Sequence, residues 1–287
     1  MTYNFSHVAH AHIPIAHSLP SANASLGSEN PAEVATDLPT GWIYAPSRLQ
    51  NAGLWQCAAY GGSWVARTDG GRIKLVRLEA ESGKQLPIPS QLKLTKKMIG
   101  RRSIQATASG WLIGFDAGEF GGGLWWFSRD GSQNIKLLSD NVHAIYQIKS
   151  SILILTGLSH LGLNFGRIYK FDDTVDKPTV TSVVILGGSP EASTLGSGDD
   201  NMIIATPDRV LRVDADGKVN EMYKSGEHLT YPTSVAVDTN GNIYVAMRFF
   251  VLRLIPQQGS RYNAEWLMPG QCRVFKLDKY ICGCNGS

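Results

Sequence analysis

The chain has 287 residues, of which 43% are hydrophobic and 18% charged, enough apolar material for one large or two small globular cores. A formal net charge of +3 is too small for a domain whose main partner is nucleic acid, since such domains carry a dense basic stripe. No apolar run reaches the roughly 18–20 residues that cross a bilayer as a helix, and the longest, residues 151–158, has the length of a strand.

Residues 1–40 contain no lysine or arginine, and their acids are Glu29, Glu33 and Asp37. This segment carries −3 while the remainder carries +6. Its Ala/Ser/Asn/Pro-rich, weakly charged composition predicts a flexible arm or an irregular strap. His7, His10, His12 and His17 lie in it. They are metal ligands only if the arm folds back, and histidines on a mobile tail ordinarily bind nothing specific. A secretory leader needs a basic start followed by an apolar stretch. The chain as given shows neither, so the expected location is the cytoplasm, or the periplasm or exterior for a processed form.

From Gly41 onward a unit repeats: short apolar strand, turn, strand, loop, strand, tight glycine turn, strand. Thirty glycines and seven tryptophans agree with many strands joined by tight turns. The first copy is read at residues 63–67, 73–76 and 85–88. The next has 111–115, 124–127 and 135–138, with the turn Arg129-Asp130-Gly131. A third has 152–156, 167–171 and 180–185. The fourth has 201–206, 210–213 and 219–223, with Asp214-Ala215-Asp216-Gly217. The clearest copy spans 232–267, with Asp238-Thr239-Asn240-Gly241 between its first two strands. The third-strand centres Leu75, Trp126, Tyr169, Leu211 and Leu252 lie 51, 43, 42 and 41 residues apart.

A period near 42 with four short strands per unit predicts an all-β fold, a β-propeller. Residues 41–287 accommodate about six four-stranded blades, with seven as the alternative. The last blade is expected to combine the C-terminal hairpin, 272–277 and 280–284, with outer strands from 41–49. Closing the ring with both termini removes exposed sheet edges. If Asp278-Lys279 is the hairpin turn, Cys272 falls opposite Cys284. Cys57, Cys272, Cys282 and Cys284 lack the paired CxxC spacing of a structural zinc site. With no leader visible, reduced thiols are expected.

The unit containing Pro232, Val235-Ala236-Val237-Asp238 and Gly241-Asn242-Ile243-Tyr244-Val245-Ala246 resembles the NHL and SMP-30/gluconolactonase-like propellers. The likeness covers about 25 residues. It departs from the NHL pattern at Met247-Arg248 and Phe249-Phe250-Val251.

Ligands of propellers gather where inter-blade connections and the loops between second and third strands converge near the axis. Those segments are read as carrying Asp116, Glu119, His143, His160, Asn164, Asp199, Asp200, Asp208, His228 and Arg248, with Trp125 beside them. The resemblance implies one reading, a metal-dependent lactonase- or esterase-type hydrolase. Asp116, Glu119, Asn164, Asp199 and Asp200 would hold a divalent cation such as calcium that polarises the carbonyl and activates water. The bland alternative is that these residues fill polar turns.

Trp125 and Trp126 in one strand point to opposite faces, so at least one packs between blades. The glycine run at 121–123 is not a phosphate loop, because no Lys-Ser/Thr pair and no helix follow. Lys93, Lys96, Lys97, Arg101 and Arg102 make a local basic patch. No nucleophile elbow, HExxH or Ser-His-Asp signature appears. The favoured expectation is a non-catalytic, cofactor-free scaffold that binds a partner protein through its loop face, with no nucleic acid and no membrane span.

Overall fold

The computed structural model describes residues 38–46, 57, 62–80, 85–174, 177–226, 228–276 and 280–284, with side chains described up to residue 272. The histidines of the first 37 residues lie outside them. Strand β1 is Trp42–Tyr44, and the hairpin β2 (Trp64–Asp69) and β3 (Arg72–Arg77) follows. One four-stranded sheet comprises β4 (Arg101–Ala106), β5 (Gly110–Asp116), β6 (Gly122–Ser128) and β7 (Asn134–Leu138). The next comprises β8 (Val142–Ile148), β9 (Ser151–His160), β10 (Leu163–Asp172) and β11 (Thr179–Ile185). A third comprises β12 (Ala192–Leu195), β13 (Asn201–Ala205), β14 (Arg209–Asp214) and β15 (Val219–Lys224). Then come β16 (Ser234–Val237), β17 (Ile243–Ala246), β18 (Val251–Pro256) and β19 (Tyr262–Pro269), and last the hairpin β20 (Cys272–Lys276) and β21 (Tyr280–Cys284). All pairings are antiparallel between chain neighbours except one, β1 on β19.

Turn chemistry sets the hairpins. Asp238 accepts from the amides of Asn240 and Asn242, both at 2.9 Å, and Gly241 takes φ +78°. That left-handed position favours glycine. Beside Gly131, Asp130 accepts from the Ser128 hydroxyl and from Ser132, which lowers its carboxyl to about 2.

The sheets stack face to face, so a central strand buries both sides. In β13, Met202 and Ile204 pack toward β8–β11 while Ile203 and Ala205 pack toward β16–β19. This explains why β13 and β17 read as unbroken apolar runs. Leu112, Leu124 and Trp126 meet Val142, Ile154 and Tyr169 in the layer between the β4–β7 and β8–β11 sheets. Trp42, Trp64 and Ala66 meet Ala236, Tyr244 and Val251. There β2 lies along β16, joined by Ala66 N to Ser234 Oγ at 2.7 Å and Thr68 Oγ1 to Val237 O at 2.8 Å.

Three expectations need correction. Residues 85–88 do not form the fourth strand of the first unit. Pro87 and Pro89 lack the amide protons a ladder requires, and Ile88 joins Leu92 and Met98 against Ile113, Phe115 and Phe127. Strand β1 does not join the C-terminal hairpin. It becomes the fifth strand of the β16–β19 sheet, with Trp42 opposite Pro269 and Tyr44 opposite Leu267, because Trp42 fills the layer shared with Trp64. Cys57 and Cys272 are not reduced: both are disulfide-bonded. The hairpin register places Cys272 opposite Cys284, as the turn position predicts.

Candidate functional site

Antiparallel order puts the β5–β6, β9–β10, β13–β14 and β17–β18 connections at one end of the sheets, together with the entries to β8, β12 and β16. A polar row crosses this end. Arg101 meets Asp116 Oδ2 at 3.2 Å, and the same oxygen lies 3.5 Å from His143 Nδ1. His143 Nε2 is 3.1 Å from Gly157 O and 3.4 Å from Ser189 Oγ. Asn164 Oδ1 accepts from Ser189 N at 2.8 Å, and Ser189 donates through its hydroxyl to Glu191. Burial pushes His143 down, partly offset by the Asp116 carboxylate. Burial also pushes the Glu191 carboxyl up and Asp116 adds to this, partly offset by Ser189 and Arg101.

Asp116, His143 and Ser189 stand in the order of a catalytic triad, yet the chemistry differs. Gly157 O can only accept, so the His143 tautomer that satisfies this contact carries its proton on Nε2 and offers Ser189 no lone pair there. Ser189 is also fully buried. The row clamps three connections together.

Beyond it, a cavity of about 530 Å³ is lined by His160, Leu163, Asn164, Glu191, His228 and Tyr231, among others. Its wall is the β9–β10 hairpin, whose ten-residue strands outreach their neighbours β8 and β11. Glu119 Oε2 lies 2.6 Å from His160 Nε2, tying the hairpin to the 3-10 turn Gly118–Phe120. Above the cavity the surface is apolar: Leu161 is 91% exposed, Phe120 78% and Leu163 59%. Gly100 fits against Asp116 O, where a side chain would clash, and this brings Ile99 and Arg101 to the same rim.

Of the residues singled out from sequence, Asp116, Glu119, His160, Asn164 and His228 are on this face. Arg248 adjoins it with its guanidinium 4.0 Å from the Tyr231 ring centre. Trp125 is elsewhere, half-buried under Lys136 Nζ at 5.4 Å, and Trp126 packs between sheets with Nε1 donating to Ser109. Asp199 and Asp200 lie at the opposite end. The stretch read as one connection contains β12, which reverses the chain before them, and Asp200 borders a different cavity with Lys149, Lys170 and Arg212. The five proposed metal ligands therefore do not meet. Among the described residues no group of three or more His, Cys, Asp or Glu is placed to hold a metal ion. Glu191, Tyr231 and Leu161 went unnoticed in the sequence, where no motif marks them.

The β-propeller repeat family matches residues 226–246, which hold β16, β17 and the approach to them. No curated protein matches the chain. Among solved structures, a functionally unknown protein from Desulfotomaculum acetoxidans is 16% identical, over 56% of this chain and 54% of that one, with TM-score 0.38. A gluconolactonase from Xanthomonas campestris is 10% identical over 60% of this chain and 62% of that one, with TM-score 0.37. A hemopexin-fold protein from cow pea is 9% identical over 58% and 92%, with TM-score 0.27. The chain thus spans less than two thirds of the first two structures. The repeat and the stacked four-stranded sheets identify the architecture as that of a β-propeller. No helix among the described residues is long and apolar enough to cross a membrane.

Proposed function

We propose that the chain is a non-catalytic binding propeller of six blades that engages a partner protein through the face carrying the β9–β10 hairpin. One observation carries this reading: Leu161 and Leu163 stand uncovered on a hairpin longer than its neighbours, and Phe120 stands uncovered on the 3-10 turn tied to it. A contiguous exposed apolar patch on a monomer marks an interaction site. Arg101, exposed and paired with Asp116, stands at the same rim, so the partner's surface is apolar with an acidic group at its edge. The hydrolase reading drawn from sequence loses Asp199 and Asp200 to the other end. Disulfide bonding at Cys57 and Cys272 supports an oxidising working compartment.

The test is Phe120→Ser combined with Leu161→Asp. Both side chains are exposed, so stability should stay within about 0.5 kcal/mol of the parent. Purified from its native source, the parent should retain one partner in stoichiometric amount and the double variant should lose it. Equal retention by both proteins, or a parent that retains nothing, refutes the proposal.

A further inference from the structure

The cavity beneath the hairpin holds one carboxylate that no cation of the polar row contacts, with Arg101 acting on it only from a distance. Glu191 lines it, and its hydrogen-bond donor is the uncharged Ser189 hydroxyl. Among the described residues no lysine, arginine or histidine forms an ion pair with it, whereas Asp116 has Arg101 and Glu119 has His160. A half-buried carboxylate without a contacting counter-ion is an electrostatic deficit that a ligand cation relieves. The rest of the lining suits an organic cation rather than a metal ion. Leu163, Leu229, Pro207 and Pro232 give apolar walls for a carbon stem, and Tyr231, which carries the Arg248 guanidinium over its ring, adds aromatic lining. No second carboxylate lines the cavity to complete a divalent-cation shell. At about 530 Å³ the space takes an alkyl chain with an ammonium or guanidinium head.

We propose that this cavity binds an alkylammonium or alkylguanidinium group, with Glu191 as its anionic contact and Tyr231 beside it. The group belongs either to a free amine or to a lysine or arginine side chain of the docked partner. The second source rests on the docking reading; the first does not.

The experiment is calorimetric titration of the whole protein with n-butylamine, n-butanol, calcium chloride, a pentapeptide with lysine at its centre, and the same peptide with norleucine. Butylamine or the lysine peptide should bind saturably, at least tenfold more tightly than its neutral counterpart. Glu191→Gln should weaken that binding tenfold or more. Comparable affinity for butylamine and the lysine peptide assigns a free amine, and tenfold preference for the peptide assigns a side chain. Absence of binding by both cations, binding unchanged in Glu191→Gln, or binding of calcium alone overturns the proposal. Glu191→Gln leaves Phe120 and Leu161 unchanged, and the docking test leaves Glu191 unchanged, so failure of one test leaves the other standing.

Discussion

Arg253 lies in the middle of the five-stranded sheet with 2% of its surface exposed, yet a guanidinium cannot shed its proton. Burial pushes it down, but hydrogen bonds from Arg253 to Tyr244 and Glu265 and the Glu265 charge outweigh burial and hold it above its ordinary value. Glu265 sits opposite in the register, its Oε2 2.7 Å from Nε and 2.5 Å from the terminal nitrogen, and the Tyr44 hydroxyl accepts at 3.2 Å. Glu265→Ala removes the counter-charge and leaves a closed-in cation. Breaking a buried pair this way costs about 3–5 kcal/mol. For a domain of this size each kcal/mol is worth about 2–4 °C in Tm, so the midpoint should fall by about 6–20 °C. Replacing both partners by apolar residues, Arg253→Met with Glu265→Leu, should cost far less, because no charge remains to strand. Urea unfolding followed by both far-ultraviolet circular dichroism and tryptophan fluorescence measures the three proteins. A loss under about 1 kcal/mol for Glu265→Ala, or a double variant as weak as the single one, refutes the argument.

Leu161 takes φ +45°, a left-handed backbone that costs a non-glycine residue about 1–2 kcal/mol. Leu161→Gly should therefore raise stability by roughly 1 kcal/mol in the same unfolding assay, while partner retention declines. Glu191 has a raised folded carboxyl, so its ionised form costs stability above that folded pKa, and the cost disappears as pH falls below the ordinary glutamate value. Glu191→Gln should accordingly raise Tm at pH 7 and match the parent near pH 4; equal Tm at pH 7 would count against the assignment. Gly114 faces Val142, where an added Cβ would come within 2.3 Å of Cγ1. Gly114→Ala should destabilise the β5–β8 contact by about 1–3 kcal/mol, read from the urea midpoint.

The repeat was legible because its turns and its period depend on local chemistry. Leu75, Trp126, Tyr169, Leu211 and Leu252 fall in β3, β6, β10, β14 and β18, the strands expected for them. What escaped was settled by contacts distant in sequence. Three residues at Trp42–Tyr44 look equally suited to any open edge, and only the Trp42–Trp64 contact, with ring centres 4.8 Å apart, selects β19. The prolines at 87 and 89 were a readable veto on a strand and were overlooked. Asp199 and Asp200 were misplaced because β12 has only four residues, too few to show a periodicity. Glu191 immediately precedes that strand, so the same short element hid the cavity's carboxylate.

The β1–β19 pairing also has a consequence for biosynthesis. Tyr44 waits for Arg253, 209 residues further along the chain. While a ribosome is still making the later strands, Trp42 and Trp64 have no layer to enter, and the β16–β19 sheet cannot acquire its outer strand. The middle sheets, each built from adjacent strands, can form as they emerge. The last act of folding is then the arrival of an early segment at a late one, and a chain interrupted before Pro269 leaves both tryptophans open to other molecules.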